Sequence, residues 1–389
     1  MIKSQLPQWK FHNKKIFLRV DLNVPLLHGT ILNDFRLQSI LPTINYLLHN
    51  GNMIILATHI GRPQGYEKDL STEILIPWFK HHQYTIIFAT DIKHVLSIPF
   101  QPKLIVLLEN LRFFPEEQNA DPLFAKQLAQ TAHYYVNDAF GAIHRNDTSI
   151  SLLPYEFSEN RRTIGFLMEK EIHMLDTLLH HPKKPFIAII GGKKITEKIP
   201  LIKKLLQTAD AILLCPAICF SFLKAQGQPI GQSLIDNSIL SLCKEIISQA
   251  EDNHTTLLFP QDYQIASHSI DGPLSFTTTP LIPDNTLGIS IGQKTLKLFT
   301  HEINNAQTIF FNGAMGFAQR PETRQTTYQL LQLLAQAHGT TYIAGGDTIE
   351  ATFTAGVAHN IDYLSTGGGA ALAYLGVNQL PGLIPFEEY

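Results

Sequence analysis

Short apolar runs rich in β-branched residues alternate with amphipathic stretches along almost the whole of this chain, and few folds accept that rhythm. Strands are expected at Ile16–Val20, Met53–Ala57, Thr85–Phe88, Leu104–Leu107, Tyr134–Asn137, Phe186–Ile190, Ala211–Leu214, Thr255–Phe259, Thr308–Phe311, Thr341–Ala344 and Tyr363–Ser365. Their compact apolar content fits strands buried on both faces. Helices are expected between them, among others over Arg36–His49, Pro122–Ala132, Ile199–Thr208, Thr326–His338 and Asp347–Ala355. The alternation predicts an α/β fold of doubly wound parallel sheets with helices on both faces.

At 389 residues the chain exceeds one ordinary core. The pattern divides near the polar segment Glu159–Arg162, which leads into a long helical stretch at Gly165–Leu178. Two lobes are therefore expected, residues 1–163 and 164–375, joined by a hinge helix. A formal charge of −3 argues against a general nucleic-acid or membrane-surface binder, so any anion site must come from local clusters of bases. Met1–Lys15 has no apolar core of the signal-peptide kind. The longest nearly apolar stretch, Ala211–Leu223, is broken by Pro216 and falls short of the roughly 20 residues a membrane span needs. Three sparse cysteines, Cys215, Cys219 and Cys243, suggest a reducing cytoplasm and small buried hydrophobes.

In the first half, polar and basic side chains gather just beyond successive strands. Asp21 and Asn23 follow the first; Arg36 opens the next helix; His59 and Arg62, Arg112, and Arg145 follow three others. Ligands of open α/β sheets bind at strand carboxyl ends. Arginine suits this place because its planar fork pairs two oxygens of a carboxylate or phosphate. The set fits a small, highly anionic molecule, with Asp21 and Asn23 left to hold a hydroxyl. Scattered surface arginines would explain any one of them but not their placement at strand end after strand end.

In the second half, a strand at Phe186–Ile190 runs into Gly191-Gly192, and Lys194 and Lys198 follow four residues apart. Gly345-Gly346-Asp347-Thr348 and Ser365–Ala370 are two further glycine-rich strand ends, and Asn312-Gly313 is a polar one. Free backbone N–H groups at such turns bind phosphate. Three in one unit imply a nucleotide. Asp347 is expected as the N-cap of its helix and as a magnesium ligand. A kinase joining a small anion to a nucleotide, with lobes that close to exclude water, accounts for both halves.

These segments resemble phosphoglycerate kinases. Arg19–Leu26, Thr58–Pro63, Leu108–Phe114, Asn137–Arg145, Gly165–Glu171, Gly191–Lys198, Gly345–Thr348 and Ser365–Ala370 are similar to that family's motifs, in order along nearly the whole chain. The resemblance implies reversible phosphoryl transfer between 1,3-bisphosphoglycerate and ADP, giving 3-phosphoglycerate and ATP, by a cytoplasmic, monomeric enzyme using Mg²⁺. It implies that Asp21, Asn23, Arg36, His59, Arg62, Arg112 and Arg145 bind the glycerate. It makes Arg36, Lys194, Gly367 and Gly368 catalytic and Asp347 the metal ligand. The nucleotide falls to Lys194, Lys198, Gly292, Asn312, Gln319, Gly346, Asp347 and Thr348. It also implies that the tail, residues 376–389, packs back on the first lobe.

The chain departs from the family around the base and ribose. Cys215-Pro216-Ala217-Ile218 stands where the family has Gly-Gly-Gly-Met, Gln319 replaces a glutamate, and Lys193 replaces an alanine. Glu197 replaces an aspartate, and Asn146-Asp147 follows Arg145 where the family has Ala-His. These changes set two alternatives beside the active kinase: one with altered nucleotide preference, and a weakened relative acting as a ligand-binding or regulatory module.

Overall fold

The computed structural model describes residues 2–9, 12–193, 195–376 and 379–387. Two compact units result, Met1–His173 with Asn378–Tyr389, and Met174–Val377. The division falls within helix Phe166–His180.

The first unit contains β1 (Lys15–Val20), the hairpin β2 (Leu26–Leu27) and β3 (Thr30–Ile31), β4 (Met53–Ala57), β5 (Ile86–Ala89), β6 (Ile105–Leu108), β7 (Tyr134–Asp138) and β8 (Arg162–Ile164). Six of these form one parallel sheet in the order β5-β6-β4-β1-β7-β8. Successive side chains of a strand face opposite ways. Ile16, Leu18, Ile54 and Leu56 accordingly enter one buried cluster, while Phe17, Met53, Ile55 and Ala57 enter another. Both faces are covered, as the unbroken apolar runs require.

The second unit contains β9 (Phe186–Gly192), β10 (Ala211–Ala217), β11 (Thr256–Leu258), β12 (Tyr263–Ser267), β13 (Leu274–Phe276), β14 (Thr286–Ile291), β15 (Thr308–Asn312), β16 (Thr340–Ala344) and β17 (Tyr363–Leu364). Its parallel sheet runs β11-β10-β9-β15-β16-β17. Counted in chain order within the sheet this is 3-2-1-4-5-6, the order of the doubly wound nucleotide-binding fold, and its switch point lies between β9 and β15. An antiparallel sheet, β13-β12-β14, is inserted between β11 and β15.

Several expectations shift at their edges. The stretch Arg36–His49 is two helices, Phe35–Ser39 and Leu41–His49, because Pro42 has no N–H to continue the first ladder. The helix after β16 is Gly346–Thr354 with Gly345 as N-cap, so Asp347 stands in its first turn and not at the cap. The three cysteines are buried free thiols. Among the described residues, no helix is long and apolar enough to cross a membrane.

Candidate active site

In the first unit, the strand ends bring most of the expected residues into one electrostatic cluster. Asp21 follows β1, and its Oδ2 lies 2.5 Å from Arg36 Nη1. The amide of Asn23 donates to Asp21 Oδ1 at 3.1 Å, and the Asn23 side-chain oxygen accepts from Gly61 N at 2.9 Å. The loop after β1 is thereby tied to the loop after β4. Burial alone would raise the Asp21 pKa; Arg36 foremost, with the Asn23 amide and Arg19, overcomes it and brings it down to about 2.

His59 is buried beyond β4, and that burial, reinforced by Arg19, Arg112 and Arg145, holds its pKa well below the ordinary value against the pull of Asp21. Arg112 lies in the turn Leu111–Phe113 after β6 and donates to the Gly61 carbonyl at 2.5 Å. Burial first, and then the like charge of Arg145, lower its pKa to about 10. Its Nε and second terminal nitrogen are buried without a hydrogen-bond partner among the described residues, as is Arg145 Nε. A buried donor left unpaired costs free energy that an anionic ligand recovers. Arg62 is exposed, and none of these contacts includes it.

Two parts of this cluster escaped the sequence reading. A Cβ on Gly141, in the turn after β7, would lie 1.8 Å from Asp21 Oδ2, so the Asp21–Arg36 pair needs glycine there. Beneath the site, Arg19 on β1 is fully buried with Glu117 and Ser149. An arginine inside an otherwise apolar strand was its one available signal.

In the second unit, the glycine-rich turns surround a cavity of about 430 Å³ at the β9/β15 switch point. Lys198, Asn312, Gln319, Gly346, Asp347, Thr348 and Gly368 line it. Lys198 is buried, and its Nζ donates to the Gly191 carbonyl and, at 3.5 Å, to the Asn312 carbonyl, joining the ends of both switch-point strands. The Asn312 side chain donates to the Ala344 carbonyl at 2.7 Å, and Gly313 N donates to the Thr348 hydroxyl at 2.8 Å. Gly313 has φ +104, and a Cβ there would lie 1.9 Å from Gly191 O. The cavity wall thus depends on backbones that approach too closely for side chains.

Gly367 N donates to Ser365 Oγ at 3.1 Å, and Gly368 has φ +53, next to helix Gly369–Gly376. Gly292 lines neither this cavity nor the slot beside it. It leaves room instead for the Asp262 carboxylate, which caps helix Gln293–Asn305 through the amides of Lys294 and Thr295. Lys194 lies outside the described residues. Next to the polar cavity runs an apolar slot lined by Pro216, Ala217, Leu234, Leu287, Ile289 and Phe317. Lys193 and Phe317 border both, with the Lys193 ammonium 4.2 Å from the Phe317 ring centroid. A flat apolar slot suits a planar base, and glycine amides beside a lysine suit phosphates.

Comparison with known proteins gives one answer. The family model "Phosphoglycerate kinase" matches residues 6–377. A phosphoglycerate kinase of Bdellovibrio bacteriovorus is 38% identical over 380 residues, spanning 95% of this chain and 94% of that protein. The cytosolic phosphoglycerate kinase 3 of Arabidopsis thaliana is 38% identical over 387 residues, spanning 96% of each. The solved phosphoglycerate kinase of Coxiella burnetii superposes with a TM-score of 0.86 at 29% identity, covering 99% of both chains. With a match along almost its full length, on a sheet order and strand-end geometry that suit both reactants, the chain belongs to the phosphoglycerate kinase family.

Proposed function

We propose that the two strand-end sites divide the family's reaction between them. The chain transfers a phosphoryl group reversibly between 1,3-bisphosphoglycerate and ADP, yielding 3-phosphoglycerate and ATP. The cluster of Asp21, Asn23, Arg36, His59, Arg112 and Arg145 takes the glycerate, with Arg62 at its exposed edge. Arg36 orients the reacting carboxyl, and Asp21 fixes Arg36 in turn. The cavity at the β9/β15 switch point takes the nucleotide, its base in the apolar slot and its phosphates against the glycine turns.

A carboxylate nucleophile needs no general base, so catalysis here is positioning and charge stabilisation. Arg36, Lys194 and the amides at Gly367 and Gly368 supply that stabilisation. Lys198 and Thr348 serve the nucleotide by holding the strand ends that cradle its phosphates. Asp347 is exposed on the cavity wall, and among the described residues no group of three or more metal-type ligands gathers. That donor set fits Mg²⁺ shared between one carboxylate and the nucleotide's own phosphates. The ion, when bound, neutralises phosphate charge. A monomeric state and a cytoplasmic location belong to the same reading.

The observation that carries this proposal is the family match along residues 6–377, which includes both strand-end sites. It is tested by following 3-phosphoglycerate-dependent ATP consumption in a coupled assay, with Arg36→Ala and Lys194→Ala as controls. Turnover by the wild type and its loss in both variants is the expected result. No turnover in the presence of retained ligand binding would overturn the proposal in favour of a non-catalytic binding protein.

A further inference from the structure

Beneath the glycerate cluster lies a fully buried ionic group with no evident need to be there. Arg19 Nε donates to Ser149 Oγ at 2.7 Å, and one terminal nitrogen donates to the Val20 carbonyl at 2.5 Å. The other terminal nitrogen lies 3.8 Å from Glu117 Oε1 and 3.4 Å from His59 Nδ1. Ser149 in turn holds Glu117, its hydroxyl donating to Oε1 at 2.5 Å and its amide to Oε2 at 2.9 Å. Replacing such a group by apolar side chains is often neutral or stabilising, so a buried ion pair is weak evidence of a stabilising role.

The contact with His59 gives it a use. A guanidinium has only donors and stays protonated in proteins. Facing Arg19, His59 Nδ1 can therefore only accept. A neutral imidazole whose Nδ1 accepts must carry its proton on Nε2. His59 Nε2 has no hydrogen-bond partner among the described residues, and Asp21, Arg112 and Arg145 lie close enough to act on the ring electrostatically. We infer that Arg19, braced by Glu117 and Ser149, is a positioning residue that fixes His59 as the Nε2–H tautomer and so presents a neutral N–H donor to the anionic glycerate. Burial favours the neutral ring in the same direction. A neutral donor also adds no further positive charge to those of Arg19, Arg36, Arg112 and Arg145. The inference rests on the proposed glycerate site, but its first test does not need turnover.

The test is long-range ¹H–¹⁵N correlation on protein carrying ¹⁵N-labelled histidine, with the His59 signals assigned by their loss in His59→Gln. At pH 7 the expected pattern is a pyridine-type Nδ1 and a pyrrole-type Nε2. A pyrrole-type Nδ1, or two pyrrole-type nitrogens, overturns the inference in the wild-type protein alone, whether or not any variant folds. The charge-balanced variant Arg19→Met/Glu117→Gln supplies the second arm. It should show mixed tautomers and a KM for 3-phosphoglycerate raised about tenfold, the worth of one hydrogen bond to a charged group, with KM for ATP unchanged. A variant that keeps the pure Nε2–H tautomer removes Arg19 from this role. Adding 3-phosphoglycerate to the wild type separates the two layers: unmoved His59 signals at saturation would contradict the glycerate site, while leaving the tautomer assignment intact.

Discussion

At the proposed glycerate site, Gly141 leaves the room that the Asp21–Arg36 pair occupies. A methyl group there would occupy the place of Asp21 Oδ2, so Gly141→Ala should part Asp21 from Arg36. Steady-state kinetics should then show KM for 3-phosphoglycerate raised at least about tenfold, with nucleotide KM unchanged. The same pair sets an acid limit. The folded-state pKa of Asp21 lies near 2, below its unfolded value, so its stabilisation is present above about pH 4 and lost as pH falls toward 2. That contribution is on the order of 2 kcal/mol. His59 acts earlier. It is buried neutral, so the unfolded chain takes up its proton first, and stability falls as pH drops below about 6.5. Denaturant midpoints of His59→Gln should consequently fall less between pH 7 and pH 5 than those of the wild type. The arginines of this cluster were legible in the sequence because Arg62, Arg112 and Arg145 follow recognisable strands and Arg36 opens a helix soon after the first. Gly141 and the Arg19–Glu117 pair were not, because their reasons lie with partners roughly a hundred residues away, which no local pattern encodes.

Among the elements, the strands that position both sites were read from β-branched apolar runs alone, within a residue or two at most ends. β8 escaped because it is three residues long and begins with Arg162, too short to display a period. The antiparallel insertion β12–β14 escaped for a related reason: β13 is three residues long, and β12 and β14 bury the polar Gln264 and Ser290 within their runs. The loop ends carry the sharper energetic demands. Gly313→Ala combines a φ of +104 with a Cβ 1.9 Å from the Gly191 carbonyl, and neither backbone can yield easily. Calorimetry should register a loss of more than about 2 kcal/mol together with weakened ADP binding. Asp138 poses the opposite case at the start of helix Phe166–His180, where its Oδ1 accepts from Met168 N at 2.8 Å. Burial raises its pKa to about 7 despite that bond, so the stability it contributes is full below about pH 4 and is lost as pH rises through 7. Asp138→Asn should narrow the difference in Tm between pH 6 and pH 8.

At the scale of the whole chain, the family's reaction accounts for two kinds of strand end, rich in guanidinium groups in the first unit and in glycine with lysine in the second. The tail belongs to the first unit and braces its site from behind. Gly382 N donates to the Ile143 carbonyl at 2.8 Å, two residues before Arg145, and a Cβ on Gly382 would lie 2.8 Å from Ile143 Cα. Gly382→Ala should therefore raise KM for 3-phosphoglycerate through the Arg145 loop while sparing the nucleotide. The α/β class was legible from rhythm, whereas the contacts of Lys198 were not. Its ammonium joins two strand carbonyls, a contact set by sheet order rather than by spacing along the chain. On the proposed reading the two ligand sites are built separately, one per unit. Calorimetric titration of Arg36→Met with 3-phosphoglycerate and with Mg–ADP tests it most directly. The account predicts that 3-phosphoglycerate affinity falls by more than about tenfold while ADP affinity stays within about twofold of the wild type. A parallel loss of both affinities would contradict it.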